Sequence, residues 1–316
     1  MVRDLFAPHA RRRHPMPRLS LPTACLLLVL ATVVPAPAQD LSIWEPLIAR
    51  LVADGQDRSR LARLFADLEY DPSIMARKVD SMVRKQFEPP KKPTKRTLDQ
   101  SSYRQFLTPG AIDRAVTFIR DNQAAFDRAT REFGPPPELV TAIILVETKL
   151  GSYLGEQNAL EVLASLARSS DLSLIEPFMR TLGSSADRQA FAADAARDRA
   201  EWGYRELLAL LRHAAFSRQD ASRMPGSIYG AIGICQFMPS NVLQFGVDGD
   251  GDGVVNLFSP ADAIVSVANY LRGHGWHPGL TPEENRRVVY AYNHSDLYVL
   301  AVLTVADRIR TRLGTP

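Results

Sequence analysis

The stretch Pro137-Glu138-Leu139-Val140-Thr141-Ala142-Ile143-Ile144-Leu145-Val146-Glu147-Thr148-Lys149-Leu150-Gly151 decides the fold class. Proline and an acid at the beginning and glycine at the end are the start and stop signals of a helix. Leu139, Ile143, Val146 and Leu150 share one stripe of that helix. Its centre, Ala142 to Val146, is apolar nearly all round, which predicts a helix buried among others. Glu147 falls four residues after Ile143 and eight after Leu139, on or beside the stripe. A carboxylate in that position loses water, and desolvation raises its pKa. A carboxylic acid that keeps its proton near neutral pH suits a general acid at a glycosidic bond. This segment alone leaves a second reading open, in which Glu147 pairs with Lys149 or a distant arginine at a helix end.

Working outward, helical spacing dominates on both sides. Residues 41–86 read as two or three helices, with Leu47, Ile48, Leu51 and Val52 on one stripe and Ile74, Val79, Met82 and Val83 on another. Pro109 with Ala111 to Phe126 reads as one helix, and Ala159–Ala167, Ala186–His213, Ala261–Leu271 and Arg286–Arg312 as further helical segments. No alternating apolar and polar run is long enough for a major sheet, so the class is all-α. Residues 88–97 contain three prolines, four positive charges and no apolar residue, which predicts a solvated linker or loop. The resulting division is an N-terminal helical segment over 39–87, a Pro/Lys-rich linker over 88–98 and a main domain over 99–316.

The 316 residues carry a formal charge of +3, but the first 38 hold five arginines and one acid. The remainder has 33 basic and 34 acidic residues, a net charge of −1, and gives no support for nucleic-acid binding. Those first 38 residues read as a secretory signal: Arg11-Arg12-Arg13 and Arg18, an apolar run from Leu21 to Val34, then Ala36-Pro37-Ala38 before Gln39. The apolar run is shorter than the roughly 20 residues of a membrane span. Cys25 precedes most of that run and has Pro22 upstream, which argues against a lipoprotein signal. The expected product is a soluble exported chain whose one remaining cysteine, Cys235, excludes an internal disulfide.

Asp248-Gly249-Asp250-Gly251-Asp252-Gly253 puts carboxylates at positions 1, 3 and 5 of an EF-hand-like loop, with glycine at 6. Val254 would offer a backbone carbonyl at position 7. Position 12 is Ser259 instead of glutamate, and Asp262 at the start of the next helix can close the shell. The expected ion is a structural Ca2+. His274 and His277 have no third ligand nearby in sequence and are not read as a metal pair.

Five blocks, in order, carry a resemblance. Gly134-Pro135-Pro136-Pro137-Glu138 with Val146-Glu147-Thr148-Lys149-Leu150-Gly151 resembles the catalytic helix of B-type (MltB-type) lytic murein transglycosylases. Ala159–Leu166, the run Gly226–Ser240 with Gln236-Phe237-Met238-Pro239-Ser240, the segment Asp262–Leu271 with His274-Gly275-Trp276, and Tyr292-Asn293-His294-Ser295 are similar to later blocks of that family. The resemblance covers roughly residues 99–312. It implies a lysozyme-like (transglycosylase) catalytic domain with an EF-hand-like calcium loop and extra N-terminal helices. It also implies Glu147 as the single acid and then base. Ser227 and Gln236 would lie beside the scissile sugar, and Phe237, Tyr270, Tyr292 and Asn293 would line the cleft, with Tyr103 on the same wall.

The implied reaction cleaves the β-1,4 bond between N-acetylmuramic acid and N-acetylglucosamine without water and leaves a 1,6-anhydromuramic end. The implied partners are peptidoglycan glycan strands in the periplasm, with no nucleic acid and no organic cofactor. The chain would act as a monomer, and association with other cell-wall enzymes stays open. Rival readings are a hydrolytic muramidase and a non-catalytic peptidoglycan-binding scaffold. The sequence departs from the family pattern in three places, one of them Cys235, which stands where small or polar residues are common. Only about ten residues separate His277 from Arg287, and Ser169-Ser170-Asp171-Leu172-Ser173 stands where the family often carries an arginine pair.

Overall fold

A computed structural model of the chain describes residues 41–89, 97–98 and 101–314, and these begin with three helices. They are α1 (Glu45–Ala53), α2 (Arg58–Phe65) and α3 (Pro72–Phe87). Asp57 and Asp71 cap α2 and α3 by accepting from Arg60 N–H and Ser73 N–H. The expected export signal and residues 90–96 of the Pro/Lys-rich stretch lie outside the described residues.

A 3-10 turn, Ser102–Leu107, leads into α4 (Pro109–Asp121), α5 (Gln123–Phe133) and α6 (Pro137–Thr148). The single helix expected over 109–126 is broken at Asn122, whose side-chain amide donates to the Phe118 carbonyl at 2.8 Å. A side chain that takes a backbone carbonyl in this way ends the helical ladder. After α6 come α7 (Ala159–Arg168), the short α8 (Leu172–Ile175) and the 31-residue α9 (Ala186–Phe216). Then follow α10 (Pro239–Phe245), α11 (Pro260–Gly273), α12 (Pro282–Tyr292) and α13 (Asp296–Leu313). The segment expected to be helical over 286–312 is also two helices. Asn293 and Ser295 are extended between them, and Ser295 Oγ caps α13 by accepting from Tyr298 N–H.

Among the described residues the sheet content is one two-residue pair, β1 (Gln157–Asn158) against β2 (Pro225–Gly226), antiparallel, with Gln157 opposite Gly226. None of the described helices is long and apolar enough to cross a membrane.

α6 is the buried helix of the assembly, packed against α4, α11 and α13. Every residue from Leu139 to Leu145 is at most 3% exposed. Fully burying one such Val, Ile or Leu side chain contributes about 1.5–3 kcal/mol. Several of them on one helix offset the cost of a single desolvated carboxylate at its end. A second packing line joins α7 to α9, with α3 laid against both and α10 against α9. α9 carries small buried residues, Ala192, Ala195, Ala196, Ala200 and Gly203, and Gly203 lets it approach α7 closely. A Cβ on Gly203 would stand 2.8 Å from Leu166 Cβ.

Candidate active site

α6 ends in a left-handed turn that begins before the expected stop at Gly151. Lys149 (φ 53°) and Leu150 (φ 63°) already have positive φ, and Gly151 follows at 84°. Two non-glycine residues in this region carry backbone strain, which the surroundings must hold in place. Thr148 does so: its buried hydroxyl donates to the Ile234 carbonyl at 2.6 Å and accepts from Gly151 N–H at 3.0 Å. A Cβ on Gly151 would meet the Ile234 side chain at 3.2 Å, so glycine lets the two segments touch. The C-terminus of α6 is thereby locked to the loop that carries Gln236 and Phe237.

That loop folds back on itself. Ile232 and Phe237 exchange backbone hydrogen bonds at 2.8 and 3.0 Å, and Ser227 N–H donates to Ala231 O. Gln236 has φ 53°, and its Nε2 donates to Leu154 O at 3.3 Å and Gly233 O at 3.0 Å. Ser227 Oγ accepts from Ala231 N–H and Tyr229 N–H. Both side chains stitch the loop, and among the described residues neither bonds to Glu147.

Glu147 itself accepts a hydrogen bond from Tyr298, with the hydroxyl 2.7 Å from Oε1. No described lysine or arginine pairs with it, and Lys149 Nζ instead faces the Tyr153 ring at 5.9 Å. Burial drives the Glu147 carboxyl up from its ordinary value to about 7, while the Tyr298 bond pulls it down. Desolvation wins because one neutral donor stabilises the anion less than lost water destabilises it. The group is therefore poised between acid and carboxylate near neutral pH.

The expected aromatics gather behind this pair. Tyr103 meets Tyr298 edge-on at 6.4 Å, and both burial and the Glu147 charge raise its pKa. Tyr292 stacks parallel to Tyr298 at 6.4 Å with 9° between planes. The extended break between α12 and α13 produces this alignment, since Tyr292 ends one helix and Tyr298 lies in the first turn of the next. Tyr292 donates its hydroxyl to Cys235 O at 2.5 Å. Phe237 and Tyr270 form a deeper layer, 2% and 6% exposed, with Phe237 5.3 Å from Tyr270 and 6.0 Å from Tyr292. Asn293 is exposed at the end of α12. Cys235 is fully buried and its thiol is pushed up by desolvation, which keeps it inert.

The residue that sequence reasoning missed is Tyr298. Its signal is weak but present: a tyrosine on the apolar stripe with Val302, Val305 and Ile309, just after the Asn-His-Ser break. A buried tyrosine hydroxyl needs a partner.

The acidic loop curls as spaced. Gly251 N–H and Gly253 N–H donate to the Asp248 carboxylate at 2.6 and 2.8 Å. Oxygens of Asp248, Asp250 and Asp262 all lie within 4.8 Å of one another. Asp262 is 1% exposed and accepts from Gly249 N–H and Asn256 N–H at 2.8 and 2.6 Å. Asp252 stands outside that group and accepts from Val254 N–H at 2.9 Å. Three carboxylates converging on one point, one of them buried, fit a hard divalent cation.

Residues 40–283 match the model of the transglycosylase SLT domain family. Membrane-bound lytic murein transglycosylase B of Escherichia coli (strain K12) is 33% identical over 226 residues, 71% of this chain. The chain spans 55% of the length of that curated relative. Among solved structures, the Escherichia coli lytic transglycosylase Slt35 in complex with calcium superposes with a TM-score of 0.66. It is 25% identical, and the superposition covers 88% of this chain and 96% of that one. The soluble lytic transglycosylase SltB1 of Pseudomonas aeruginosa has a TM-score of 0.64 and 24% identity, with 87% of this chain and all of that one covered. The all-α class expected from the helix pattern, and the lysozyme-like fold that the family resemblance implied, are thus borne out. On a family-model match over more than half its length, the chain belongs to the transglycosylase SLT domain family.

Proposed function

We propose that the protein is a lytic transglycosylase that cleaves the MurNAc–GlcNAc β-1,4 bond of peptidoglycan and leaves 1,6-anhydromuramic ends. The observation that carries this reading is Glu147: a carboxyl held near pKa 7 at the end of a buried helix, with no basic partner among the described residues and one tyrosine hydroxyl on it. A single group that gives and then recovers a proton works best with a pKa near the working pH. Glu147 donates its proton to the glycosidic oxygen as the bond to the muramic anomeric carbon breaks. The muramic acetamido group supports that carbon. Glu147, now a carboxylate, takes the proton of the C6 hydroxyl, whose oxygen closes on the same carbon. The proton returns to Glu147, and no water is consumed.

Tyr298 holds Oε1 in place, and Tyr292 and Tyr103 wall the site for sugar faces. Ser227, Gln236 and Asn293 supply hydroxyl and amide groups for acetamido and hydroxyl substituents. Phe237 and Tyr270 support Tyr292 from behind. The membership in the transglycosylase SLT domain family and the activity in the name of the 33%-identical relative both favour this reaction.

The acidic loop is proposed to hold a structural Ca2+ through Asp248, Asp250 and Asp262, with Asp252 and the Val254 carbonyl completing the shell. The Slt35 structure with calcium supports the choice of ion. When bound, the ion supplies charge neutralisation between the Gln236 loop and α11. Export to the periplasm through residues 1–38, removal of that segment, and action as a monomer on glycan strands complete the proposal. Digestion of purified peptidoglycan by the wild type and Glu147→Gln tests it: release of muropeptides by the wild type alone is expected, and equal release by both would overturn it.

A further inference from the structure

A cavity of about 460 Å3 lies between α3 and the segment around Arg180, lined by Ser73, Arg77, Asp80, Arg84, Phe178 and Arg180. None of these belongs to the candidate active site. Arg77 and Arg84 are seven residues apart on α3, so two turns place them on one face, about 10 Å apart along the axis. Arg180 comes from the opposite wall, and that wall is pinned. The buried Asp80 carboxylate accepts from Arg180 N–H at 2.8 Å, Thr181 N–H at 3.1 Å and the Thr181 hydroxyl at 2.7 Å. Arg188 Nη1 donates to the Thr181 carbonyl at 3.0 Å.

Asp80 is therefore spent on backbone and hydroxyl donors rather than on the guanidiniums. Among the described residues none of Arg77, Arg84 and Arg180 forms an ion pair, and the side-chain bond found for the three is Arg77 Nη1 to Ser73 Oγ at 2.7 Å. Three guanidiniums around one carboxylate leave the cavity with a net charge of about +2. Scattered surface arginines are ordinary, and single exposed pairs contribute little. Here the charges converge on one concavity with a preorganised wall, and the Phe178 ring, 50% exposed, stands at the same place.

We propose that this cavity binds a short acidic peptide that carries small apolar side chains. Guanidinium forks engage carboxylates in bidentate fashion. The ring of Phe178 offers a face for methyl groups, which an inorganic anion lacks. The axial spacing of Arg77 and Arg84 corresponds to about three residues of extended peptide, so two carboxylates three positions apart reach both. Resting on the function proposed above, the source of such a peptide is the stem of the peptidoglycan strand, in which two neighbouring acidic residues lie between alanines; the first acidic group and the free C-terminal carboxylate of a tetrapeptide stem then stand about three residues apart. The cavity then grips the polymer by its peptide while Glu147 acts on its glycan.

The test is calorimetric titration of the full chain with a free stem tetrapeptide of two alanines and two acidic residues. Inorganic phosphate at equal ionic strength and anionic phospholipid vesicles are parallel arms. Binding of the peptide is expected, weakened about fivefold by Arg84→Gln or Arg180→Gln and about 25-fold by both. Arg84→Lys, which keeps the charge without the fork, should also weaken it, and guards against misfolding of the glutamine variants. Glu147→Gln should bind the peptide as the wild type does. No peptide binding, binding indifferent to both arginines, or binding of phosphate or vesicles alone would overturn the proposal. Arginine-dependent peptide binding by a chain that makes no anhydro products would keep this site and sink the proposed reaction instead.

Discussion

The hydroxyl of Tyr298 and Oε1 of Glu147 are 151 positions apart in the chain and 2.7 Å apart in the fold. One bond joins the first turn of α13 to the last turn of α6, the two helices that bury each other along the core. It opposes desolvation at the single group proposed to carry the chemistry.

Removing that bond shifts the pH profile in a defined direction. Tyr298 stabilises the carboxylate, so Tyr298→Phe raises the Glu147 pKa above its value of about 7. The starting form is the protonated acid, so activity falls on the alkaline side. That limb of kcat/KM should move up by about one pH unit or more, the shift of a lost hydrogen bond to a charged group. The maximal rate should drop about tenfold through lost positioning. A profile with an unmoved limb would contradict the coupling.

Glu147 also costs stability in its charged form. Its carboxyl is raised from 4.5 to about 7 on folding, so the folded state holds its proton where the unfolded state has released it. Stability is then lost as pH rises from about 4.5 through 7. Glu147→Gln removes this penalty and should raise the unfolding free energy at pH 8 by an amount on the order of 1–3 kcal/mol, and the melting point with it, while leaving pH 4 nearly unchanged. Melting curves at the two pH values decide; an equal effect at both would place the variant's influence in packing.

Calcium should couple to the fold through Asp262. Its burial raises its pKa, and Asp248 and Asp250 add to the effect in the absence of a cation. Chelation is expected to lower the melting temperature, and Ca2+ at 100 times its Kd to restore about 2.7 kcal/mol. Asp262→Asn should abolish the calcium response. A melting point that ignores both chelator and ion would remove the site.

Gly203→Ala sets two effects against each other. Alanine in a helix interior gains about 1 kcal/mol over glycine. The new Cβ would stand 2.8 Å from Leu166 Cβ and 3.1 Å from the Ala167 backbone nitrogen, forcing α7 off α9. Overpacking of this kind costs about 1–3 kcal/mol. Net destabilisation is expected by denaturant titration, because a backbone atom cannot rotate away.

The legible parts of this molecule were those set by local chemistry. α6 could be read because its apolar run exceeds what a surface helix tolerates. The acidic loop could be read because alternating Asp and Gly have few other uses. Breaks were harder: Asn122 and Asn293 interrupt stretches whose hydrophobic spacing is continuous, and a single side-chain bond or extended residue decides each. Tyr298 was hidden because its role depends on a contact with a residue 151 positions away. The arginine cavity depends on Asp80 pinning Arg180 across 100 positions, which no spacing rule encodes.

The most direct measurement is the mass of the muropeptides released from purified peptidoglycan. With Glu147 as sole acid and base and the C6 hydroxyl as nucleophile, the terminal muramic residues should be lighter than reducing ends by one water. Glu147→Gln should lower their release by at least about a hundredfold, the low end of what a general acid–base contributes. Reducing ends from the wild type would show that water, not the sugar's own hydroxyl, attacks, and would contradict the account.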